Sequence, residues 1–108
     1  MSFVSAHVLD SVHGRPARGI RVTLLTGDGR ELASATTDED GRVADLGPET
    51  LESGHYRILF ATEPYFAGLE LETFYPFVSV DFTVRQEQGH YHVPLLLSPF
   101  AYSTYRGS

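Results

Sequence analysis

Apolar and polar residues alternate with period two through most of this chain, in runs of strand length. Val4, Ala6 and Val8 share one face of the run over residues 3–9, with Ser5 and His7 on the other. Ile20, Val22 and Leu24 repeat the pattern over residues 20–25. The turn Thr26-Gly27-Asp28-Gly29, whose glycines supply positive φ, leads back into a partner strand over residues 31–37. A second turn, Asp38-Glu39-Asp40-Gly41, precedes a short strand over residues 42–46. Tyr56, Ile58 and Phe60 point inward over residues 55–60 and leave His55 in solvent. Val78, Val80, Phe82 and Val84 give residues 77–84 the cleanest alternation. In the last strand pair, Tyr91, Val93, Leu95 and Leu97 face one way and His90, His92, Pro94 and Leu96 the other. Ser98-Pro99 interrupts that strand, since proline has no N–H for the ladder. Residues 101–106 read as a final short strand with Tyr102 and Tyr105 on opposite faces.

One segment, residues 62–71, has helical spacing. Thr62 is placed to cap, Pro64 suits the first turn, and Phe66 and Leu69 share a face with Tyr65 beside them. Residues 10–19, with Gly14, Pro16 and Gly19, read as a loop, and residues 85–89 as a polar turn. Seven to eight short strands with turn signals between them predict an all-β fold, an antiparallel β-sandwich with one short helix. The whole chain, residues 1–108, fits one domain.

Composition narrows the chemistry. Cysteine is absent, which removes disulfides, cysteine-ligated zinc and a thiol nucleophile. All eight basic residues are arginine, so lysine Schiff-base chemistry is excluded. A net charge of −6 argues against nucleic acid or an anionic membrane as partner. No apolar run approaches the ~18 residues of a membrane span. No charged-then-apolar leader opens the sequence, so the expected location is cytoplasmic. Asp38 to Gly41 resembles a calcium loop only weakly, for the later ligands are missing.

The candidate chemical groups are His7, His90 and His92, the arginines Arg42 and Arg106, and the tyrosines near the C-terminus. His90 and His92 on one strand face could hold a metal with a third ligand, but no carboxylate sits at a diagnostic spacing. No serine stands in a Gly-x-Ser-x-Gly elbow. The remaining set suits metal-free activation of water: a neutral imidazole takes a proton near pH 7, and a guanidinium stabilises an oxyanion or clamps a planar polar ligand. Such residues are equally consistent with a sandwich that only binds a ligand.

The C-terminal residues carry a resemblance. Tyr91-His92-Val93-Pro94-Leu95-Leu96-Leu97-Ser98-Pro99 and Tyr102-Ser103-Thr104-Tyr105-Arg106-Gly107-Ser108 are similar, without a gap, to the closing block of the transthyretin-related 5-hydroxyisourate hydrolases. The Tyr-Arg-Gly-Ser ending separates those hydrolases from transthyretins. His7-Val8-Leu9-Asp10, Gly14-Arg15-Pro16-Ala17, Thr37-Asp38 through Gly41-Arg42, Tyr65-Phe66 and Thr73-Phe74-Tyr75-Pro76 extend the likeness over nearly the whole chain.

This resemblance implies a transthyretin-like sandwich that opens the ring amide of 5-hydroxyisourate to 2-oxo-4-hydroxy-4-carboxy-5-ureidoimidazoline, without metal or cofactor. It implies catalytic roles for His7, Arg42, His92 and Ser108. Substrate contacts are implied for His7, Arg42, Tyr105, Arg106 and Gly107, while His90 falls outside the set. It further implies a homotetramer, a dimer of dimers, with sites where dimers meet. Which histidine is the base stays open. The competing readings are a transthyretin-like carrier of small hydrophobic ligands and a structural sandwich without a site.

Overall fold

The alternation becomes two packed sheets. The computed structural model describes residues 2–108. Its strands are β1 (Val4–Asp10), β2 (Arg15–Pro16), β3 (Arg21–Thr26), β4 (Glu31–Thr36), β5 (Arg42–Val43), β6 (Gly54–Ala61), β7 (Val78–Val84), β8 (Tyr91–Ser98) and β9 (Ala101–Thr104). One helix, α1 (Glu63–Gly68), lies between β6 and β7. The first sheet runs β2-β1-β8-β9, with β5 also paired to β1, and the second runs β4-β3-β6-β7.

Inward residues of the two sheets meet in the core. Val4, Ala6, Val8, Tyr91, Val93, Leu95 and Leu97 come from the first sheet. Val22, Leu24, Ile58, Phe60, Val78 and Val84 come from the second. Phe66 of α1 is fully buried beside them. Period-two geometry then sends Ser5, His7, His92 and Pro94 to the opposite face of the first sheet. That outer face carries the candidate chemistry.

Five details differ from the sequence-based expectation. The β1–β8 pairing is parallel, with Val4 opposite Tyr91 and Asp10 opposite Leu97, within an otherwise antiparallel sandwich. Alternation has the same period in either direction, so it carries no information about strand polarity. Arg15–Pro16 pairs with Leu9 and Asp10 inside the expected loop, over too few residues to show a period. The short strand expected over residues 42–46 is a ladder only at Arg42–Val43, and β9 stops at Thr104. Thr62 stands at the start of α1, but its hydroxyl donates to the Tyr75 carbonyl at 2.8 Å and makes no cap bond.

Asp10 pins the end of β1. Its carboxylate, 1% exposed, accepts hydrogen bonds from the Val12 and His13 amides, the His13 ring and the Tyr65 hydroxyl. Burial alone would raise its pKa, but these bonds hold it below the usual carboxylate value. Burial and the same carboxylate push the Tyr65 phenol up to about 12.

Candidate active site

His7 sits in the middle of β1, opposite Arg42 of β5 on one side and Pro94 of β8 on the other. Two residues earlier, Ser5 lies opposite His92 of β8. Strand register thus gathers Ser5, His7, Arg42 and His92 on one outward face. The rings of His7 and His92 are 6.4 Å apart between centroids.

The turn Asp38-Glu39-Asp40-Gly41 orients two of these side chains. The Asp40 carbonyl lies 2.8 Å from His7 Nε2. A carbonyl only accepts, so His7 Nε2 carries the proton and Nδ1 bears the lone pair. The Asp38 carboxylate accepts the amides of Asp40 and Arg42, at 2.9 and 3.0 Å. The Arg42 amide is the main cause of a carboxyl pKa below the ordinary range. Gly41 closes the turn at φ 73°, and a Cβ there would collide with the Val8 carbonyl. Arg42 therefore leaves a rigid turn with its guanidinium exposed, and among the described residues that group has no ion-pair partner.

His92 is half-buried. Its Nδ1 is 2.7 Å from Ser5 Oγ. Desolvation depresses its pKa below the usual imidazole value, and the positive fields of His7, Arg42 and His90 depress it further. The protonated form is thereby disfavoured, which keeps the ring a base. His90 is exposed, with Nε2 3.0 Å from Ser5 Oγ and Nδ1 3.1 Å from the Ser2 carbonyl.

The chain end folds back over this face. The Gly107 amide donates to the His92 carbonyl at 2.9 Å. A Cβ at Gly107 would stand 2.5 Å from His92 Cδ2 and 3.2 Å from Pro94 Cγ. Glycine is needed here because the backbone lies against the His92 ring. Ser108 then lines a cleft of about 330 Å³ together with Ser5, Arg42, His90 and His92, within the usual size range for small-ligand sites.

Tyr105 and Arg106 do not line that cleft. The Arg106 guanidinium lies over the Tyr91 ring, 4.3 Å from its centroid, and its Nη1 donates to Gln88 Oε1 at 3.2 Å. Tyr105 and Arg106 line a second cleft of about 540 Å³, and His92 lines both. Among the described residues, no three side chains of His, Cys, Asp or Glu converge as a metal site would require.

The sequence left Ser5 unremarked. It appeared only as a polar neighbour of His7 on a strand face, and its contact with two histidines depends on the parallel β1–β8 register. His90 likewise lay outside the set implied by resemblance.

The family model of the HIUase/Transthyretin family matches residues 4–107. A probable 5-hydroxyisourate hydrolase of Caenorhabditis elegans is 48% identical over 97% of this chain and 80% of its own length. The solved 5-hydroxyisourate hydrolase of Klebsiella pneumoniae superposes with a TM-score of 0.90 at 36% identity, covering 99% of this chain and 100% of that one. The transthyretin of Sparus aurata superposes with the same TM-score at 31% identity, over 99% and 97% of the two chains.

Proposed function

This chain belongs to the HIUase/Transthyretin family, and we propose on that footing that it is an enzyme that hydrolyses 5-hydroxyisourate at the outer face of its first sheet. The observation that carries the reading is the convergence of His92, Arg42 and Ser108 on one cleft, with His7 beside it. Relatives that bear the hydrolase name support it.

In the proposed reaction His92, with His7 adjacent, takes a proton from water. The water oxygen adds to a ring amide carbonyl, and the Arg42 guanidinium stabilises the oxyanion that forms. The carbon–nitrogen bond then breaks, the electron pair leaves with nitrogen, and the proton held by the imidazole passes to that nitrogen. Ser108 closes the cleft. Tyr105 and Arg106 hold the planar substrate from the adjoining cleft, whose wall His92 shares.

The Sparus aurata likeness shows that this fold also serves transthyretins. A cleft lined by Ser5, Arg42, His90 and His92 is poorly suited to a hydrophobic ligand.

We also propose a homotetramer. Phe74, Phe100, Tyr102 and Tyr105 are 72%, 64%, 41% and 57% exposed, too much aromatic surface to leave in water without a partner. The expected solution mass is 4 × 12.0 kDa, about 48 kDa. A monomeric mass with activity retained would contradict an inter-subunit site.

An ultraviolet assay on freshly generated 5-hydroxyisourate tests the function. The protein should speed its disappearance, equally with and without EDTA. Activity lost to EDTA and restored by zinc would favour a metal site instead. Binding without acceleration would favour a carrier.

A further inference from the structure

A chain of hydrogen bonds runs beneath His92, from the Ser2 carbonyl to the His90 ring, the Ser5 hydroxyl and the His92 ring. Its polarity follows from its first member. The Ser2 carbonyl has no proton to give, so His90 Nδ1 must donate to it. A neutral His90 then has a bare Nε2, which can only accept. The Ser5 hydroxyl owns one proton and donates it to that nitrogen. Ser5 Oγ is left as an acceptor for His92, so His92 Nδ1 carries the ring proton. His92 Nε2 is thereby the lone-pair nitrogen.

We propose that Ser5 and His90 are positioning residues that lock His92 in the tautomer protonated on Nδ1 and leave Nε2 as the base that activates water. The proposal rests on the hydrolase reading above for its catalytic consequence, but the tautomer stands on geometry alone. Three further observations fit. Ser5 is 8% exposed, so water competes poorly for its hydroxyl. The Ser5–His92 contact is the shorter of its two, at 2.7 Å against 3.0 Å. Strand pairing holds Ser5 directly opposite His92, so the contact costs little extra ordering.

His7 is fixed the other way round. Its Nε2 donates to the Asp40 carbonyl, which leaves Nδ1 bare. The two neighbouring imidazoles therefore leave different nitrogens bare. His92 takes its orientation from side chains, whereas His7 takes it from a backbone turn.

The test is nitrogen-15 NMR of the histidine rings in the full-length protein at pH 8, where unperturbed imidazoles are neutral, alongside steady-state kinetics. In the wild type, two-bond proton–nitrogen correlations should show His92 protonated on Nδ1 alone. Ser5→Ala removes the acceptor. It should give a mixture of His92 tautomers and lower kcat by about threefold to tenfold, the scale of one hydrogen bond, with KM little changed. His90→Ala should shift the tautomer balance in the same direction by less, because Ser5 can still accept. A wild-type His92 protonated on Nε2, or a Ser5→Ala protein with the wild-type tautomer and kcat, would overturn the proposal. A wild type that shows the Nδ1 tautomer but fails to hydrolyse 5-hydroxyisourate would sink the hydrolase reading and leave the relay standing.

Discussion

Replacing His92 with asparagine lowers turnover of 5-hydroxyisourate by ~10²-fold or more, the usual scale for losing a general base, and leaves the sandwich folded. Asparagine keeps a polar group near Ser5 but has nothing that accepts a proton near neutrality. The fold should tolerate it, because the ladder with β1 and the bridge to Gly107 use the backbone of His92. His90→Asn is the matched control. His90 is exposed and reaches His92 only through Ser5, so its loss should cost far less. Equal losses from the two substitutions would mean that His92 is not the base. Matched circular dichroism spectra separate a chemical defect from unfolding.

The second large effect lies at the chain end. Deleting Tyr105, Arg106, Gly107 and Ser108 should abolish turnover. It removes the guanidinium over Tyr91, the residue that closes the cleft and the backbone strap against the His92 ring. The ladder of β9 with β8 ends at Thr104 and stays intact, so the sandwich should survive. A purification tag after Ser108 should act similarly, because it adds bulk in the cleft that Ser108 lines. A tag before Met1 should be more benign, because several residues separate that end of the sequence from His7. The three altered proteins, compared by circular dichroism and the ultraviolet assay, decide the matter. Full activity from the truncated protein would reduce the ending to an ordered tail and take Tyr105, Arg106 and Ser108 out of the site.

The sandwich was legible because half of each strand is buried and half is not. Val78, Val80, Phe82 and Val84 alternate so cleanly that β7 begins only one residue after the expected start. The outward placement of His7 and His92 follows from the same alternation. What alternation omits is which strands are neighbours and in what direction they run. Ser5 and His92 are 87 positions apart in sequence, and only the parallel register brings them together. The role of the Asp40 carbonyl was hidden for a related reason, because a backbone group leaves no mark on residue type. Thr62 shows the reverse error. A good cap residue stood at the right position, but the exposed-helix rule gave way to a tertiary bond with Tyr75.

The pH profile of hydrolysis tests most directly whether His92 is the base. A protonated imidazole cannot accept a proton, so the rate must fall as pH drops through the pKa of His92. Desolvation, with the charges of His7, Arg42 and His90 adding to it, lowers that pKa. The acidic limb of kcat/KM should therefore lie below the ordinary imidazole value of about 6.5, and activity should persist into more acidic solution than an unperturbed histidine allows. In Arg42→Gln the residual activity should show the limb displaced upward, because one of the depressing charges is gone. A limb at or above the ordinary value in the wild type, a profile unmoved by Arg42→Gln, or no hydrolysis at any pH would contradict the account.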